Sequence, residues 1–173
     1  MTPRDILRDA AFRPADTADV VLDGLGPDAA HDRLLGRGNS IAWLLWHAAR
    51  QMDVQTVDLA GGETVWRSGG WAERLGVDRG PDEFGLGDTG EDVDALRVTD
   101  LPALGAHLRA CVEALVAYVD GLDDADLDEV VDDAYDPPVT RGARIVSIID
   151  DAAVHAGQAA YVRGLLDGWS IGV

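Results

Sequence analysis

The sequence predicts an all-α fold: a four-helix bundle with one long crossover between its second and third helices. Three observations carry that prediction. Apolar residues recur at helical spacing, about 100° per residue, in four segments of about 20 residues each. Capping residues, Ser40 and Thr140, stand at the start of two of them. No stretch alternates as a half-buried strand would, and no repeat or low-complexity tract interrupts the pattern. At 173 residues, the chain 1–173 reads as a single domain with a sizeable core.

The first segment, Asp5 to Leu25, carries Ile6, Leu7, Ala10, Ala11, Val20, Val21 and Leu22 at helical spacing. Pro14 lies within it, and a proline there either kinks one helix or opens a second at its first turn. Gly24, Gly26 and Pro27 close the segment; Asp28 to Leu35 reads as a short helical connection carrying His31 as a surface residue. Ser40 caps the second helix, which runs through Trp43, Trp46 and His47 to about Leu59, where Gly61-Gly62 stop it. Its inner stripe is Ile41, Leu44, Ala48, Met52 and Leu59, with His47 at the edge. Trp46 points nearly the other way, so a loop or a second subunit is expected to cover it.

From Glu63 to Leu101 the periodicity weakens and glycines multiply. Short helices are expected at 70–75 and 91–96, with Trp66, Trp71 and Phe84 as apolar anchors. A connection of this length in a compact domain usually lids a site or covers apolar surface. The third helix, from about Pro102 to Leu122, shows a stripe of Leu104, Leu108, Cys111, Val112, Leu115 and Val119. His107 lies at that stripe's margin and reads as a polar boundary residue that is also a further candidate for the site. Asp123 to Asp136 is acidic and turn-like, and Asp136-Pro137-Pro138 ends any helix before it. Thr140 caps the fourth helix, whose stripe is Ile145, Ile148, Ala152, Ala159, Val162 and Leu166.

Composition excludes several classes. The formal charge is −18, with 14 basic residues, all arginine. Acidity of that size opposes nucleic acid or an anionic membrane as partner, although its spread along the chain also fits a plain compositional bias. No apolar run reaches membrane-span length and the N-terminus has no signal-peptide pattern, so a cytoplasmic protein is expected. Cys111 is the single cysteine, which excludes an intrachain disulfide.

Chemistry concentrates on the fourth helix. His155 falls in the middle of its apolar stripe, Asp151 one turn earlier lies at the margin, and Asp150 points outward. A carboxylate turned toward a core is costly unless neutralised, paired or bound to a cation. A pair four residues apart shares one helix face, as metal ligands in bundle cores do. His47 is the strongest candidate for the third ligand. Two imidazoles and a carboxylate suit Zn²⁺ or Ni²⁺ with an open position. The competing reading pairs Asp151 with His155 or an arginine, merely pinning the helix register. Cys111 reads as a small core residue, and Arg50, one turn from His47, as a contact for an anionic substrate.

The segment Asn39-Ser40-Ile41-Ala42-Trp43-Leu44-Leu45-Trp46-His47 resembles the second-helix motif of the DinB-like superfamily, which includes mycothiol-dependent maleylpyruvate isomerase. Pro138-Val139-Thr140-Arg141-Gly142, then Ser147 and Asp151-x-x-x-His155-Ala156-Gly157-Gln158, resembles its fourth helix. Gly70-Trp71-Ala72-Glu73-Arg74-Leu75-Gly76 resembles the crossover of one actinobacterial-type branch. The likeness covers nearly the whole chain. It implies an up-up-down-down bundle, a homodimer, and a divalent metal, Zn²⁺ first, held by His47, Asp151 and His155. Many members have histidine where this chain has Asp151; the isomerase branch has glutamate there.

Three functions follow as expectations. The first is a metal-dependent enzyme, a thiol transferase or isomerase in which mycothiol or a similar small thiol attacks a small electrophile. A hydrolytic variant would use water in place of the thiol. The second is a non-catalytic metal-binding or stress-associated dimeric scaffold. The third is a purely structural bundle with a buried polar pair and no metal.

Overall fold

The computed structural model describes residues 1–172, and it is all-α apart from one small β pair. Helix α1 (Pro3–Leu22) opens on a reciprocal cap: the Thr2 hydroxyl accepts from the Asp5 amide at 3.2 Å, and the Asp5 carboxylate accepts from the Thr2 amide at 2.8 Å. Pro14 neither ends α1 nor starts a second helix. It is buried beside Ala11, Ala15, Ala18 and Val21, whose packing outweighs the one backbone bond a proline removes. A short α2 (Pro27–His31) follows, then α3 (Ile41–Ala60), capped by the Ser40 hydroxyl and ended at Gly61.

The crossover holds three short helices, α4 (Val65–Ser68), α5 (Trp71–Leu75) and α6 (Gly90–Ala95). Helix α7 (Leu101–Asp120) begins on an Asp100 cap, and α8 (Arg141–Asp167) on a Thr140 cap. The four long helices pack in a ring in which α1 and α3 each lie against both α7 and α8. The whole α7 stripe named from periodicity is buried. On α8, Ile145, Ile148, Ala152 and Ala159 are buried, while Val162 and Leu166 are only partly covered.

Two features differ from the helical expectation. The acidic turn contains strand β1 (Val130–Asp132), paired antiparallel with β2 (Val139–Thr140) just before α8. Pairs this short leave no readable alternation in sequence. Helix α3 has no narrow inner stripe: every residue from Ile41 to Asp53 is buried, because the crossover covers the face the bundle leaves free. Trp46 is therefore fully buried under this chain's own loop, with the Arg79 guanidinium 5.2 Å from its ring and Trp66 edge-on at 6.4 Å. No helix of the described residues is long and apolar enough to cross a membrane.

Candidate metal centre

The α3–α8 interface brings His47 to the pair on α8. One donor atom each from His47, Asp151 and His155 lies within 4.8 Å of the others. The two imidazoles meet edge to face, 4.7 Å between centroids, and Trp43 stacks on His47 at 4.8 Å. His47 is buried, whereas the His155 side chain is 17% and that of Asp151 42% exposed. Asp151 is thus less enclosed than its place beside the apolar stripe suggests.

Each histidine has its ring fixed from outside the cluster. The Nδ1–H of His47 donates a short hydrogen bond to the Phe84 carbonyl, and that of His155 donates to Gln158 Oε1 at 2.9 Å. In the neutral rings this leaves both Nε2 lone pairs free, the usual arrangement of metal-ligating histidines. Burial holds the His47 imidazole below the ordinary histidine range; the Phe84 bond only partly offsets it. The ring therefore stays neutral, as a ligand must be.

The carboxylate has unused capacity. Asp151 Oδ1 stands 3.7 Å from His155 Nε2, beyond hydrogen-bond length, and Oδ2 is buried with no hydrogen-bond partner. Among the described residues no arginine pairs with Asp151. A register-pinning pair would close that valence, so the orphaned oxygen fits a cation better. The donor set, two imidazole nitrogens and one carboxylate oxygen, fits a borderline divalent ion such as Zn²⁺ with a position to spare.

Arg50 does not face a substrate. It is wholly buried, paired with Asp53 at 2.9 Å, and its other nitrogens donate to the Glu83 carbonyl at 3.1 Å and the Pro81 carbonyl at 2.6 Å. Asp53 also accepts from the amides of Val65 and Trp66, at 2.7 and 2.8 Å. The pair thus staples the crossover onto α3. Next to Phe84, Gly85 sits at φ +92°, where a Cβ would fall 2.9 Å from Trp43, 3.0 Å from His47 Nδ1 and 3.1 Å from Trp46. Asp88 completes the cover, accepting from Trp43 Nε1 at 2.8 Å and from Arg79 at 2.9 Å.

His107 is not a boundary residue and is not in the cluster with His47. It is fully buried between Trp66 and Trp71, centroids 5.2 and 5.0 Å away, and neither ring nitrogen has a hydrogen-bond partner. Burial, with the positive charges of Arg50 and Arg74, lowers its pKa to about 3. Together with Asp53 and Cys111 it forms a second close group of ligand-type side chains, all buried. Cys111 is a core residue whose thiol burial pushes well up. His31 also departs from expectation: its Nε2 accepts from the Val98 amide at 2.9 Å, tying α2 to the end of the crossover.

Gln158 and the Phe84 carbonyl were not expected as partners of the cluster. Gln158 stands three residues after His155 in a motif the sequence displays; a backbone carbonyl leaves no signature at all.

Comparison with known proteins gives two likenesses. The family model described as mycothiol-S-transferase matches residues 7–168. A solved structure, a conserved protein from Enterococcus faecalis, is similar over 98% of this chain and 99% of that one, with 30% identity and a TM-score of 0.89. No curated protein matches.

Proposed function

Because the chain belongs to the mycothiol-S-transferase family, a DinB-like family, we propose that it is a metal-dependent transferase or isomerase. It would use mycothiol against a small electrophile. The observation that carries the reading is the orphaned Asp151 oxygen beside two imidazoles whose Nε2 lone pairs are free. His47, Asp151 and His155 would hold the ion, Zn²⁺ before Ni²⁺. When bound, the ion would supply the positive charge that keeps a thiol ionised at neutral pH.

The chain's own residues set the conditions around that chemistry. The Phe84 carbonyl and Gln158 hold the two rings in one tautomer. Trp43, stacked on His47, and the crossover above it keep water from the inner side of the cluster. The partly exposed edge at Asp151 and His155 is the side from which a thiol would enter. In the reaction the thiol proton leaves to solvent and the sulfur forms a bond to the electrophilic carbon. That carbon's bond to its leaving group breaks, the group departing with the electron pair, as halide from an aryl halide. The same reading takes the chain as one DinB-like four-helix bundle of up-up-down-down type, a cytoplasmic protein and a homodimer. The exposed Val146, Val154, Tyr161 and Leu165 along α8 support a second copy.

The test is conjugation of mycothiol to a chromogenic aryl halide by zinc-loaded protein, run beside glutathione, thiol-free reactions and His155→Ala. Mycothiol-dependent product lost in His155→Ala is expected. Activity that survives in that variant, or turnover of an ester with no thiol present, would overturn the transferase reading.

A further inference from the structure

We propose that Arg50 is a positioning residue for His47, acting through crossover residues 81–85; the inference rests on His47 being a metal ligand. Arg50 and His47 stand three residues apart on α3, and one segment of chain joins their contacts. The guanidinium takes the carbonyls of Pro81 and Glu83, and the next carbonyl, that of Phe84, takes the His47 Nδ1–H. Helix α3 thus carries both the ligand and the hook for the loop that aims it. Gly85 lets the loop lie flat on Trp43, His47 and Trp46.

The hook needs an arginine. Its planar fork reaches Asp53 and two carbonyls together, whereas a lysine ammonium has one centre and satisfies the charge of Asp53 without bridging the loop. If Arg50 served only to neutralise Asp53, lysine would suffice. If it fixes the loop, lysine leaves the Phe84 carbonyl loose over His47. Loss of the group that orients a ligating histidine typically weakens metal binding by roughly 10–100-fold.

The experiment measures zinc affinity by chelator competition and the visible spectrum of the cobalt-substituted protein. The chains compared are wild type, Arg50→Lys, Gly85→Ala and Val21→Ala, the last a core truncation on α1 away from the crossover. A folded Arg50→Lys that binds zinc roughly 10–100-fold more weakly, with an altered cobalt spectrum, is expected. Gly85→Ala should do the same, and Val21→Ala should lose stability without either change. If Arg50→Lys fails to fold, the charge-neutral double variant Arg50→Gln, Asp53→Asn decides, because Gly85→Ala also crowds His47 directly. Wild-type affinity and spectrum in the folded variants, or equal weakening in Val21→Ala, would overturn the role of Arg50 while leaving the metal reading intact. A wild-type chain that takes up no metal removes both.

Discussion

Two groups of ligand-type side chains sit beside α3, each with its ligand atoms within 4.8 Å of one another, and they are opposite in character. His47, Asp151 and His155 lie at the α3–α8 interface; Asp53, His107 and Cys111 lie in the core under the crossover. In the first, the carboxylate keeps an unpaired oxygen, both imidazoles are oriented through Nδ1, and the edge is open to solvent. In the second, the carboxylate already accepts from two amides and from Arg50, whose fixed charge repels a cation. Proximity of donors does not make a metal site; residual valence, neutral charge and access do.

The comparison can be broken most forcefully at Asp53. Asp53→Asn leaves the buried Arg50 charge unbalanced and is expected to cost about 3–5 kcal/mol in urea unfolding. A loss under about 1 kcal/mol would mean that solvent reaches the pair. The next lever is acid. The native His107 pKa of about 3 lies below the ordinary 6.5, so between those values the unfolded state holds the extra proton. Stability should therefore fall as pH drops through that window, with no contribution above it. His107→Phe should remove up to about 1.4 kcal/mol per pH unit of that slope, and an unchanged slope would count against a neutral buried ring.

Gln158→Leu sharpens the other side. It frees the His155 ring and should weaken zinc binding by roughly 10–100-fold, read by chelator competition, with little change in the stability of the metal-free protein. Cys111→Ala should matter least, at about 1 kcal/mol. The wild-type thiol should resist alkylation until the chain unfolds.

Much of this was legible in the sequence. Helical stripes and the Ser40 and Thr140 caps define the long helices, and an outward Trp46 requires a cover. What escaped has a common cause: partners that leave no side-chain signal. Pro14 reads alike as a kink or a start, and only the packing of its alanine neighbours decides. Arg50 reads from the sequence as free for a substrate because the Pro81 and Glu83 carbonyls that satisfy it are backbone. His107 lies at the margin of the α7 stripe as counted against the long helices alone; Trp66 and Trp71 of the crossover bury it.

The most direct test is metal content by elemental mass spectrometry on protein purified without a metal-binding tag. Wild type, Asp151→Ala, His155→Ala, His107→Phe and Cys111→Ala should be compared. About one zinc per chain in wild type, retained in His107→Phe and Cys111→Ala and lost in the other two, is the expected result. Metal that persists without Asp151 and His155, or none even after reconstitution, would contradict the account.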